Sequence, residues 1–407
     1  MNYTGSHPLS IHANPPVKFF LSGHEQVVKP NSELWNSPLP SNRKSTQIKS
    51  CKDNPGSITY GDYFETAGAF IKENDYAHIL KALSYSKQNI CLEHINEIRI
   101  LLEKHGQFYH PAKVVVVTHD SEIPFALNVA VSQAGIECAE NEYLILQRLH
   151  TQIPNNFIPS VYGYGKIISK RSNLPIAMFL AQWFEGYNEF HISKDPEDGI
   201  YKIIVWDHIN GNMFISNDHA IEIYRQAAMI MTFFYNINTF EQIFPWHHAA
   251  GDFVVKIIDN KPDVKLITIR QYASLYAIDN MVDNVAADSE LIFEGLLMFI
   301  IVLSIRMRLD RLDGTGDTVW ADNEAVEGTI KGFMDGLCMK GESNLIPNDF
   351  DNKLLDYLSS CYEDQLLDLS KIVVNSFNQS APDIVVINKN LSRHSSELYQ
   401  SLKKLEM

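Results

Sequence analysis

The chain has 407 residues, 45% of them hydrophobic and 20% charged, enough to bury a full core in one large domain or in two lobes. Its 34 basic and 49 acidic side chains give a formal charge of −15. That balance argues against nucleic acid or an anionic membrane surface as the main partner.

Cys51, Cys91, Cys138, Cys338 and Cys361 are odd in number and widely spaced, with no Cys-x-x-Cys pair. Neither a disulfide framework nor a zinc site is expected from them. The N-terminus lacks a positive segment followed by an apolar one, so no secretory signal is expected. The best membrane candidate, residues 291–305, is interrupted by Glu294 and falls short of the ~20 apolar residues a span requires. A cytoplasmic protein without membrane insertion is the expectation.

Residues 1–57 are rich in Pro, Asn, Ser, Lys and His without a sustained apolar period, which predicts a disordered arm. Phe64, Ala67, Phe70, Ile71, Ile79, Leu80 and Leu83 recur at helical intervals and predict one or two helices over 60–85. From residue 95 the pattern becomes that of strands. Residues 95–102 and 108–118 flank a short polar link containing Gly106 and predict a hairpin. A third strand is predicted over 125–131 and a helix over 136–150, followed by extended segments at 157–165 and 177–184.

The second half is mainly helical, with helices predicted at 220–235, 290–309, 324–337 and 352–369 and a hairpin over 253–258 and 264–269. Beyond residue 375 the chain is polar apart from one apolar run at 384–387. Arg306, Arg308, Asp310, Arg311 and Asp313 mix both signs at close spacing, and an internal salt-bridge network is the favoured reading.

The richest stretch chemically is Phe244-Pro245-Trp246-His247-His248-Ala249-Ala250-Gly251-Asp252, between a helical pattern and a β-branched run. A neutral histidine accepts a proton near pH 7, and a neighbouring carboxylate can orient it or hold a metal. His247 and His248 are therefore candidate general bases, with Asp252 as orienting group or metal ligand. For either histidine alone, a buried imidazole bonded to backbone is at least as good a reading.

The order of these elements from 95 to 276 resembles the protein-kinase-like superfamily. The helix holding Glu142, followed by Phe157-Ile158-Pro159-Ser160-Val161-Tyr162-Gly163, is similar to that family's αC helix and next strand. Asp252-Phe253-Val254-Val255 falls where the family has its catalytic-loop Asn and strand, which puts His247 in the place of the catalytic Asp. The resemblance implies an α+β, two-lobed protein-kinase-like fold with a disordered arm (1–57), a sheet lobe with leading helices (58–186) and a helical lobe with a helical C-terminal extension (187–407). It also implies ATP as ligand, with or without Mg²⁺, with Glu142, Lys113 and Arg270 around the phosphates. The family's strand lysine is replaced by Ser132, with Lys113 on the preceding strand as a displaced substitute. Thr268 stands in the register of the metal-binding Asp, and Arg270 brings positive charge where a metal would. Trp183, Tyr187 and the other aromatics around them fall at the family's hinge, where packing is the favoured reading.

Two functions follow. One is a degenerate kinase-like protein, a pseudokinase or scaffold, because phosphoryl transfer uses the replaced groups together. The other is an unconventional phosphotransferase-like enzyme using His247, His248 and Asp252 in the interlobe cleft. A protein partner docking on the N-terminal arm, or a small-molecule partner, is the remaining expectation.

Overall fold

A computed structural model of the chain describes residues 14–24, 26–40, 57–85, 90–106, 108–152, 156–207, 209–246, 251–274, 289–347 and 349–406. The fold is a mixed α+β one, dividing into two units. One holds the chain to Pro154 together with Pro159–Glu185, the other Asn155–Ile158 and Gly186–Met407.

The first unit is built on a six-stranded sheet with strand order β1-β2-β3-β4-β6-β5. The strands are β1 (Val17–Leu21), β2 (Ile95–Leu102), β3 (Ala112–Thr118), β4 (Glu122–Ala130), β5 (Val161–Ile168) and β6 (Pro175–Gln182). Period-two alternation decides the faces. Ile98, Ile100, Val114, Val116, Phe125, Leu127, Met178 and Leu180 join one apolar core with Phe64, Ala67, Phe70 and Ile79 of α2 (Tyr60–Tyr85). Helix α2 starts in a capping box: Asp62 accepts from the Thr59 backbone N–H at 2.9 Å, and the Thr59 hydroxyl accepts from Asp62 N–H at 3.1 Å. These bonds satisfy two of the helix's unpaired first-turn donors. The helix breaks at Glu73–Tyr76, where the backbone leaves helical angles. The opposite face of the sheet receives α3 (Gln133–Gln152), whose Tyr143 meets Phe179.

The arm expected to be disordered over 1–57 is ordered in part. β1 pairs parallel to β2 in the register Val17↔Ile98, and Ser32 caps the short helix α1 (Glu33–Asn36). Trp35, 1% exposed, stacks on Phe64. Burial of that indole is what fixes a polar segment with no period of its own. Residues 1–13 and 41–56 lie outside the described residues.

In the second unit β7 (Phe190–Lys194), β8 (Tyr201–Val205) and β9 (Met213–Phe214) form one small sheet. Helix α4 (Asn217–Phe234) follows, then β10 (Glu241–Ile243), the hairpin β11 (Phe253–Ile258) and β12 (Lys261–Leu266), and β13 (Tyr272–Ser274), which pairs with β10. Next come α5 (Ser289–Met307), the ribbon β14 (Leu309–Arg311) and β15 (Thr318–Trp320), and α6 (Asn323–Glu342). The chain ends in α7 (Phe350–Ser360), α8 (Glu363–Ser376) and α9 (Asp383–Lys403). Two helices thus replace the single one expected over 352–369, and α9 occupies the polar tail.

Helices α4 and α6 approach closely because Gly328, Gly332 and Gly336 recur every fourth residue on the contact face. A Cβ on Gly332 would stand 1.9 Å from the Arg225 carbonyl oxygen. The mixed charges after α5 make ion pairs with residues of other elements. Buried Arg308 pairs with Glu397 and donates to the Ala321 carbonyl, while Arg311 pairs with Asp383. Among the described residues no helix is long and apolar enough to cross a membrane.

Candidate functional site

The chemically rich loop lies between two zippered pairs of strands. On one side β10 is bonded to β13, and the Phe244 N–H donates to the Gln271 carbonyl at 3.1 Å. On the other side the β11–β12 hairpin continues into a bond from the Ile267 N–H to the Asp252 carbonyl at 2.8 Å. Trp246, 3% exposed, packs edge-on against Phe253. Gly251 takes a φ of +73°, a conformation glycine adopts without strain. His247 and His248, the candidate bases, lie outside the described residues.

Arg270 closes the loop. Its two terminal nitrogens donate to both oxygens of Asp252 at 2.8 and 2.6 Å, and one of them also lies 3.4 Å from the Pro245 carbonyl oxygen. Asp252 is 1% exposed and Arg270 21%. A planar guanidinium matched to a carboxylate in this two-pronged way gives direction as well as charge. Arg270 therefore links the residues on either side of 247–250. Thr268 is half-buried on the strand exit between the two partners.

A second charged group stands behind the loop. A Cβ on Gly251 would meet the Glu189 carboxylate at 2.9 Å, so that carboxylate rests against the loop's backbone. Glu189 lies 3.8 Å from Nε2 of His191, whose Nδ1 lies 3.4 Å from Asp310. Asp310 also accepts from the Ile192 N–H at 2.6 Å. Burial of the imidazole opposes its charge, but the hydrogen bond to Asp310 and the attraction of Asp310 and Glu189 outweigh it and hold the His191 pKa up to about 9. Sequence reading missed this group because Asp310 lies 119 residues from His191 and 121 from Glu189, and no local spacing signals the meeting.

The sites expected in the first unit have these surroundings. Glu142, 1% exposed, accepts from the Tyr109 hydroxyl at 2.7 Å. Lys113 holds its ammonium over the Trp183 ring, 5.2 Å from the centroid, a cation–π contact. Ser132 lies beyond the end of β4, and its hydroxyl accepts from the Gly135 N–H at 3.1 Å, an N-cap bond for α3. The Tyr187 hydroxyl donates to Asp263 at 2.5 Å, and Lys256 and Lys265 stand over its ring.

No family model matches the chain. No curated protein matches it either. Among solved structures the chain is similar to one described as WaaP in complex with acyl carrier protein. The likeness spans 60% of this chain and 83% of that one, with 8% sequence identity and a TM-score of 0.25.

Proposed function

We propose that the chain is a degenerate kinase-like protein, a pseudokinase that works as a binding module or scaffold without metal-dependent phosphoryl transfer. The observation that carries this reading is the Asp252–Arg270 clasp. Mg²⁺ needs hard oxygen ligands held near octahedral geometry. Both oxygens of Asp252 are already committed to a fixed guanidinium, and admitting a dication would set it beside that positive group. Two further arrangements support the reading. The Ser132 hydroxyl serves a helix cap, and Thr268 offers a neutral oxygen where a carboxylate would be needed.

The test is thermal unfolding of the purified chain with ATP, with and without excess Mg²⁺, and with EDTA. A ligand bound only by the folded state raises the melting temperature. The expected result is that Mg²⁺ and EDTA leave the melting temperature in ATP unchanged. A nucleotide shift that appears only with Mg²⁺, and that vanishes in Asp252→Ala, would overturn the proposal.

A further inference from the structure

Arg306 stands in the last turn of α5 with a charge that no carboxylate pairs. The other arginines of the second unit each have one: Arg225 with Glu222 and Asp335, Arg270 with Asp252, Arg308 and Arg393 with Glu397, and Arg311 with Asp383. Arg306 makes no hydrogen bond or ion pair among the described residues, and its Nε is buried without a partner. The carbonyl end of α5 favours a cation here, yet it gives the guanidinium no bond. Aromatic rings from two other elements hold the group instead. Its Cζ lies 4.6 Å from the ring centroid of Phe244, just after β10, and 4.8 Å from that of Phe377, just after α8. Both are cation–π contacts, and they fix a head that carries much rotamer freedom in water.

A guanidinium has five donors and no acceptor, and buried polar atoms in native proteins are nearly always bonded. Burial pushes the Arg306 pKa down to about 10, and the attraction of Asp383 only partly opposes it, so the group is charged at pH 7. Asp383 is committed elsewhere: it accepts from the Thr318 hydroxyl at 2.9 Å and pairs with Arg311 at 3.5 Å. With Nε sealed, the two terminal nitrogens are the donors left to a ligand. Three features select that ligand. Paired terminal nitrogens match the two oxygens of a planar carboxylate. Arg306, Arg311 and Asp383 sum to one positive charge, which a monoanion neutralises, whereas a phosphate dianion leaves negative charge beside Asp383. The half-buried Phe244 and Phe377 rings and the exposed Pro245 offer an apolar seat, and aromatic residues and arginine are the types enriched in binding surfaces.

We propose that Arg306, flanked by Phe244 and Phe377, is a binding site for a carboxylate carried on an apolar body. The carboxylate takes the terminal nitrogens of the guanidinium, and the body lies against the two rings. The proposal rests on the reading of the chain as a binding module. Its test uses neither nucleotide nor metal, so its failure is distinct from a failure of that reading.

The test is saturation-transfer NMR of the purified full chain titrated with benzoate, with benzamide as the uncharged probe of the same shape and inorganic phosphate as the dianion. The expected result is saturable benzoate binding at least tenfold tighter than that of benzamide or phosphate. It weakens at least tenfold in Arg306→Gln and is unchanged in Lys353→Gln, a control at an exposed lysine. If Arg306→Gln does not fold, the Nε–H resonance of Arg306 in the unaltered chain decides the matter, since under the proposal benzoate shifts it and benzamide does not. Absence of saturable benzoate binding, benzamide or phosphate binding as tightly, affinity that survives in Arg306→Gln, or an Nε–H resonance unmoved at saturation would each overturn it.

Discussion

Cutting the Arg270 side of the clasp should be at least as damaging as cutting both sides. In Arg270→Met the Asp252 carboxylate, 1% exposed, keeps its charge and loses both guanidinium donors. Removing one partner of a buried ion pair typically costs about 3–5 kcal/mol. Asp252→Asn leaves instead a guanidinium that is 21% exposed, which water can partly solvate, so the cost falls to about 1–2 kcal/mol. Asp252→Asn with Arg270→Met leaves no unpaired charge, and the coupling between the sites should reach about 2 kcal/mol. Urea unfolding followed by tryptophan fluorescence reads these differences, since Trp246 is buried beside the loop. A cost below about 1 kcal/mol for Arg270→Met, or a coupling near zero, would refute the view that the pair is the loop's fixed centre.

Other substitutions test other joints. Gly332→Ala places a methyl 1.9 Å from the Arg225 carbonyl; an overpacking cost of about 1–3 kcal/mol exceeds the ~1 kcal/mol gained in helix propensity, so its urea midpoint should fall. Gly341→Ala, with nothing within 4 Å of the new carbon, should hold its midpoint or raise it. The folded state binds the His191 proton more tightly, its pKa lying at about 9 against about 6.5 unfolded. Its contribution of roughly 3 kcal/mol is complete below pH ~6.5 and is lost as pH rises through about 9, so His191→Asn should flatten stability across that window. Tyr109→Phe takes one donor from the buried Glu142 carboxylate and should cost about 1–3 kcal/mol in the same assay.

The sheet of the first unit was legible because β2 and β4 alternate and β3 and β6 are unbroken apolar runs. Ile98, Ile100, Val114, Val116, Phe125 and Leu127 fall on the core face as the pattern requires. Strand β1 was not, since Val17–Leu21 gains its identity only from a partner some eighty residues later. Helix α9 hid for a different reason. Its buried face runs Ile384, Ile387, Leu391, His394, Ser395, Leu398 and Leu402, and a buried histidine and serine at its centre break the apolar count that periodicity relies on. At the candidate site, the cation on Arg270 could be read from sequence as a substitute for metal charge. Its grip on Asp252 needed the return of the β11–β12 hairpin to bring the two together. Ser132 precedes a helix, and its hydroxyl follows the helix rule by capping α3.

The most direct measurement is steady-state phosphoryl transfer and ATP hydrolysis by the purified chain, with Mg²⁺ present and absent. Turnover at background in both conditions, unchanged in Asp252→Ala, is the predicted result. Mg²⁺-dependent turnover in the kinase range of about 1–100 s⁻¹, abolished by Asp252→Ala, would contradict the account.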